Sequence, residues 1–100
     1  MSIQIHENFP TLFSKASMQS IELKNRSIVS PMTRTSAEED GMATEQMAEY
    51  YTEFARGGWA LIIAEATYID EKYSQGYNNQ PGISNEYQQE SWRKIVDSVH

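Results

Sequence analysis

Residues 27–34 read Ser-Ile-Val-Ser-Pro-Met-Thr-Arg, a short apolar run that ends in a polar tip. A second apolar run, Ala-Leu-Ile-Ile-Ala at residues 60–64, leads into the tip Glu-Ala-Thr-Tyr at residues 65–68. A continuous apolar run this short predicts a strand covered on both faces, as in a parallel sheet. Chemistry in parallel α/β folds lies at the carboxyl ends of the strands, so we expect both tips to face one ligand.

A helix is predicted after each strand, which gives the strand–helix alternation of an α/β fold. Thr44 is the expected N-cap of the first helix, and residues 57–58, Gly-Gly, are expected to end it with a left-handed cap. The second helix is expected to begin at Ser84 or Asn85 and to run to the end of the chain. Before the strands, residues 18–23 alternate roughly and predict a strand or one arm of a hairpin.

The composition excludes several classes of protein. The chain of 100 residues is 39% hydrophobic and 22% charged, which indicates a globular protein. Its net charge of −6 argues against a nucleic acid or an anionic membrane as partner. The chain has no cysteine and no signal-peptide pattern, so we expect a cytoplasmic protein. His6 and His100 lie apart from any acidic cluster, so no metal site is predicted.

Polar residues at the two tips have structural as well as functional interpretations. From composition alone, Thr33 and Arg34 are expected to begin a solvated loop, and the functional alternative is that they point into a pocket at the carboxyl end of the strand. Glu65 interrupts an apolar segment, and a buried carboxylate needs a partner, for which Arg34 is the expected choice. The hydroxyls of Thr67 and Tyr68 follow at the same end and could line a site. Tyr51 is interpreted as a core residue, and two loop tyrosines are left open, Tyr73 and Tyr77.

Several segments together resemble the old yellow enzyme family. They are residues 23–26, 30–34, 44–51, 61–67, 76–77 and 81–83. Members of this family are NAD(P)H-dependent flavin oxidoreductases on a (βα)8 TIM barrel, an α/β fold. The resemblance implies that residues 1–100 are the N-terminal part of a single FMN-binding TIM-barrel domain. Residues 1–26 would form a lead-in and a barrel-closing hairpin, and residues 27–100 the first two βα units.

The resemblance also implies four cofactor-binding residues and no catalytic residue within the chain. Pro31 and Met32 would pack against one face of the isoalloxazine ring of FMN. Thr33 would form a hydrogen bond near the flavin C4 oxygen and N5 and tune the reduction potential. The backbone of Ala66 would approach the same edge, which its small side chain permits. The implied reaction passes hydride from NAD(P)H through flavin N5 to an electron-poor alkene.

A complete TIM barrel has eight strands and typically about 250 residues, so this chain would supply about two of eight strand–helix units. We therefore expect the chain to be an incomplete fragment that is inactive by itself. Two alternatives remain open. Open sheet edges could make it a non-catalytic assembly module in which several copies, as a homo-oligomer, or a complementing piece close a barrel. The other alternative is a TIM-barrel enzyme without flavin.

Overall fold

The computed structural model describes residues 7–100, and the first six residues of the predicted lead-in, with His6, lie outside this range. Its strands are β1 (Ala16–Met18), β2 (Ile21–Leu23), β3 (Ile28–Val29) and β4 (Leu61–Ile62), and its helices are α1 (Glu45–Arg56) and α2 (Glu86–Val99). Strands β1 and β2 pair antiparallel around a turn at residues 19–20, so the single strand or arm predicted over residues 18–23 is instead the end of β1, the turn and β2. No helix within residues 7–100 has the length and apolar character that crossing a membrane requires.

Strands β3 and β4 form the parallel pair that the sequence predicts. Ile28 lies opposite Leu61, and Val29 lies opposite Ile62. One more ladder bond, 3.0 Å long, runs from the amide of Ile63 to the carbonyl of Val29. These strands join neighbouring positions of one sheet across helix α1, as a βα unit requires.

Both strands are shorter than predicted, and the first one ends before Pro31. Proline has no backbone amide, so it cannot continue a ladder as a donor. Residues 30–35 consequently leave the sheet without regular secondary structure. The polar tip is therefore a separate segment beyond the ladder.

Side-chain caps begin both helices. The hydroxyl of Thr44 accepts a hydrogen bond of 3.2 Å from the Met47 amide and donates one of 3.0 Å to the Ser36 carbonyl. The predicted N-cap of α1 is thus confirmed. For α2 the structure selects Asn85, whose side-chain oxygen accepts from the Gln88 amide at 2.9 Å. Each cap satisfies an amide that has no partner within its helix.

Helix α1 ends at the predicted glycine pair, but the left-handed residue is Gly58. Gly57 has a helical φ of −72°, whereas Gly58 has a φ of +96°. The Gly58 amide returns to the Ala55 carbonyl, and the Trp59 amide returns to the Phe54 carbonyl. The rings of Trp59 and Phe54 lie 6.1 Å apart, edge to face. This is a Schellman motif with its apolar contact, and it turns the chain directly into β4.

The core lies between the two helices and one face of the β3–β4 pair. Its buried residues are Ala37, Met47, Tyr51 and Ile95, with Ile62 and Trp92 among those packed against them. The opposite face of the strand pair carries Ile28 and Ile63, which are 39% and 45% exposed. Helices thus cover one side only, the arrangement of strand–helix units whose other side faces a barrel interior.

The Thr44→Ala variant is expected to lose about 1 kcal/mol of unfolding free energy, because the Met47 amide and the Ser36 carbonyl lose their partner. Thr44→Ser, which keeps the hydroxyl, is the matched control and should stay near the parent. Urea unfolding followed by circular dichroism measures both. Equal loss in the two variants would contradict a capping role.

Candidate functional site

The two polar tips leave the parallel strands at corresponding positions. Ile28 pairs with Leu61 and Val29 with Ile62, an offset of 33 residues. If the same offset is continued along the two segments that follow β3 and β4, Thr33 corresponds to Ala66. Both of these residues are exposed.

Pro31 and Met32 precede Thr33 in the first tip, and both are exposed. Met32 keeps 45% of its surface accessible, although it is a large apolar residue. An exposed methionine next to a rigid proline forms a small apolar surface beside the polar position 33. Such a surface suits the face of a flat ring.

The predicted ion pair between Arg34 and Glu65 is wrong. The Arg34 guanidinium lies 4.0 Å from the ring centroid of Tyr50, a cation–π contact. Glu65 is 4% exposed, and its Oε2 accepts a hydrogen bond of 2.7 Å from the Tyr51 hydroxyl. The same hydroxyl accepts the Glu65 amide at 3.1 Å. Both side chains found partners on helix α1, because adjacent tyrosines there offer a ring to one and a hydroxyl to the other.

One oxygen of the buried carboxylate has no partner in the described part of the chain. Glu65 Oε1 is inaccessible and accepts no hydrogen bond from residues 7–100. Glu65 also lines a small gap of about 10 Å³, together with residues that include Arg34 and Gln46. An unsatisfied buried oxygen destabilises the folded state. Because Oε1 has no partner among residues 7–100, the hydrogen bond that Oε2 accepts from Tyr51 is important for the stability of this segment.

Burial raises the pKa of the Tyr51 hydroxyl well above its ordinary value of 10.0, and the hydrogen bond to Glu65 raises it further. The carboxylate favours the protonated phenol because an ionised phenol would place a second negative charge beside it. Tyr51 is the core residue that the sequence predicts, being 3% exposed. Its hydroxyl has a second role, which the helical pattern alone did not indicate.

Thr33 and Ala66 carry donors without acceptors. Their chain neighbours Arg34 and Glu65 turn toward helix α1, whereas Thr33 and Ala66 themselves are exposed. Among residues 7–100, neither the Thr33 hydroxyl nor the Ala66 amide donates a hydrogen bond. Two exposed donors on corresponding strand tips suit a ligand with acceptor atoms along one edge.

The hydroxyls of Thr67 and Tyr68 are used within the fold rather than at this open side. Thr67 donates to the Glu65 carbonyl at 2.8 Å. Tyr68 is 4% exposed, and its hydroxyl accepts from Gln88 of helix α2 at 2.9 Å. The expectation that both could line a site is therefore wrong for the buried Tyr68, whose hydroxyl is held by α2, and stays a prediction for the half-buried Thr67.

Gln80 is a polar residue of this region that sequence reasoning missed. It is 4% exposed. Its Nε2 donates to the Ala66 carbonyl at 3.2 Å, and its Oε1 accepts from the amides of Gly76 and Tyr77 at 2.7 and 3.2 Å. Nothing in a loop sequence distinguishes such a buried glutamine from a solvated one. The two loop tyrosines left open, Tyr73 and Tyr77, are 78% and 57% exposed.

Comparison with known proteins identifies the family. The model of the NADH:flavin oxidoreductase / NADH oxidase family matches residues 11–100. The chain belongs to this family. The old yellow enzyme homologue from Zymomonas mobilis is 40% identical with a TM-score of 0.81, and the match covers 91% of this chain and 25% of that one.

Two further relatives support the same assignment. The old yellow enzyme from Pichia sp. AKU4542 is 39% identical with a TM-score of 0.84, over 90% of this chain and 23% of that one. Chanoclavine-I aldehyde reductase fgaOx3 from Penicillium roqueforti is 37% identical over 89 residues, which are 89% of this chain and 24% of that protein. The chain thus spans about a quarter of the length of these old yellow enzyme relatives.

The predicted fold class is confirmed. The structural neighbours are old yellow enzyme TIM barrels, and this chain matches their N-terminal part. The hairpin and the two strand–helix units are accordingly the opening elements of a (βα)8 barrel. Membership of a flavin oxidoreductase family contradicts the alternative of a TIM-barrel enzyme without flavin.

The raised pKa of Tyr51 gives a pH-dependent stability. A group whose pKa is higher in the folded state stabilises the fold fully below its unfolded pKa, here 10.0, and this contribution is lost as the pH rises toward the folded pKa. We expect the unfolding free energy to fall from about pH 10 upward, with a contribution from Tyr51 of up to ~1.4 kcal/mol per pH unit. Denaturant unfolding at several alkaline pH values measures it.

Tyr51→Phe is the comparison for this measurement. It should be less stable at neutral pH, by about 1.5–3 kcal/mol, because the Glu65 carboxylate loses its donor. Its unfolding free energy should also fall less steeply with rising alkaline pH than that of the parent. Parallel declines in the two proteins would contradict the assignment of this titration to Tyr51.

Proposed function

We propose that residues 1–100 form one wall of the FMN site in an NAD(P)H-dependent oxidoreductase of the ene-reductase type. The observation that carries this proposal is the pair of exposed donors without acceptors, the Thr33 hydroxyl and the Ala66 amide. The C4 carbonyl oxygen and N5 of a flavin lie on one edge and accept hydrogen bonds. The residues present therefore fit the cofactor that the family implies.

In this proposal the two tips hold different parts of the ring. Pro31 and Met32 pack against one face of the isoalloxazine, with the exposed Met32 side chain as the adaptable contact. Thr33 donates to the edge near the C4 oxygen and N5. Ala66 brings its backbone to the same edge, and its methyl group is small enough for that approach.

The chemistry itself belongs to the cofactor, which when bound supplies hydride transfer from NAD(P)H to an electron-poor alkene. The contribution of this chain is to orient the ring and to tune its electronics. A donor near the C4 oxygen stabilises the more electron-rich reduced ring, so Thr33 should raise the reduction potential. The proposed substrate class is a small activated alkene such as an enone.

The domain assignment is part of the proposal. Residues 1–26 serve as lead-in and barrel-closing hairpin, and residues 27–100 as the first two βα units of one FMN-binding domain. About two of eight units leave most of the flavin and substrate contacts to other units of the barrel. A cytoplasmic location is proposed because the sequence contains no cysteine, which suits a reducing compartment.

The product of the complete reading frame that contains this chain provides the test. It should bind FMN and oxidise NAD(P)H in the presence of 2-cyclohexenone. Ala66→Val should weaken FMN binding at least about tenfold, because two added methyl groups keep the ring from the amide. Ala66→Gly, which leaves the approach open, is the matched control. Flavin fluorescence titration measures both, and equal affinity of Ala66→Val and the parent would overturn the site.

Thr33→Val should lower the flavin reduction potential by about 30 mV, since one hydrogen bond of about 1.4 kcal/mol to the reduced ring is lost. Thr33→Ser, which retains the hydroxyl, should keep the parent value. Equilibration with a reference dye under anaerobic conditions gives the potentials. An unchanged potential in Thr33→Val would remove Thr33 from the proposed site.

A further inference from the structure

We propose that Gln80 is a positioning residue that aims the Ala66 amide at the flavin edge. This inference rests on the proposed function, because it concerns the cofactor-binding role of Ala66. Its physical basis is a clamp formed by one buried side chain. The clamp joins the carbonyl of Ala66 to the turn at residues 76–77.

The Gln80 amide group is held at both ends. Its oxygen accepts two backbone amides, Gly76 at 2.7 Å and Tyr77 at 3.2 Å, which occupies both lone pairs. With the oxygen fixed, the nitrogen can point in only one direction, and there it donates to the Ala66 carbonyl at 3.2 Å. The side chain is 4% exposed, so competition from water is small.

Position 66 itself lies outside backbone pairing, between the β3–β4 ladder and the bridge from Tyr68 to Gly82. The ladder between β3 and β4 ends at the Ile63 amide, three residues earlier. Beyond that point the Tyr51 hydroxyl holds the Glu65 amide at 3.1 Å, and Gln80 holds the Ala66 carbonyl. The Ala66 amide thus lies between two side-chain anchors, one from α1 and one from the loop after β4. Anchors of this kind pre-organise a binding backbone.

The Gln80→Glu variant tests the positioning of Ala66 separately from the folding of the loop. Gln80→Glu keeps an oxygen for the amides of Gly76 and Tyr77 but places a carboxylate oxygen against the Ala66 carbonyl. Lowering the pH protonates this carboxyl, which then donates an O–H to the same carbonyl. In Gln80→Glu the hydrogen bond from residue 80 to the Ala66 carbonyl should therefore be absent at high pH and present at low pH.

The experiment uses the FMN complex of the product of the complete reading frame. For Gln80→Glu we expect FMN to bind at least about tenfold more weakly than to the parent at about pH 8, and this ratio to fall toward one as the pH is lowered below the ordinary glutamate pKa of about 4.3. The flavin absorption band should shift in parallel. The amides of Gly76 and Tyr77 should stay protected from hydrogen exchange, because their acceptor remains.

Two further variants complete the design. Gln80→Leu removes both ends of the clamp and should lose amide protection at residues 76–77 as well as FMN affinity. Gln89→Glu adds the same charge at an exposed position of α2 and should bind FMN as the parent does. Should Gln80→Leu fail to fold, Gln80→Glu alone still decides the proposal.

The possible outcomes are distinct. Parent-like FMN affinity and spectrum of Gln80→Glu at both pH values would overturn the positioning role while leaving the flavin site intact. A weakened affinity that does not recover at low pH would also overturn it, since a closed clamp should rescue binding. A parent protein that binds no FMN would overturn the proposed function and this inference with it.

Discussion

The parallel register between β3 and β4 sets the relative position of the two strand tips. It sets Ile28 against Leu61 and thereby relates positions 33 residues apart. Both tips then leave the sheet at the same edge, one ending its strand before a proline and the other continuing to Ala66. A slip of one residue would exchange the faces of one strand and turn the buried Glu65 outward. The register therefore decides which tip residues remain open.

Helix α1 determines the orientation of the tips once the register is set. Its two adjacent tyrosines hold Arg34 by a ring face and Glu65 by a hydroxyl. With these neighbours held on the helix side, Thr33 and Ala66 stay exposed with free donors. The buried carboxylate has a cost, because its Oε1 has no partner among residues 7–100. This destabilising feature lies at the strand tip where the proposed flavin edge lies, and such features are typical of functional sites.

Features that depend on local chemistry could be predicted from the sequence. The apolar run of β4, the Thr44 cap and the glycine stop of α1 each follow from a few adjacent residues, and the structure confirms them. The partner of Glu65 could not be predicted, because an arginine and a tyrosine were both chemically suitable and only packing selects between them. Gln80 could not be found because its partner at the strand tip, the Ala66 carbonyl, lies 14 residues earlier, and the nearby turn at residues 76–77 carries no pattern that marks a buried glutamine.

Selective ¹⁵N-alanine labelling of the FMN complex reports on the Ala66 amide itself and so on its proposed hydrogen bond to the flavin. Ala66→Gly, which lacks the label at this position, identifies the resonance. We expect FMN to shift the Ala66 amide resonance strongly downfield as the amide gains an acceptor, while the resonances of Ala48 and Ala55 on helix α1 stay in place. A stationary Ala66 resonance in the presence of bound FMN would show that this amide does not bind the flavin.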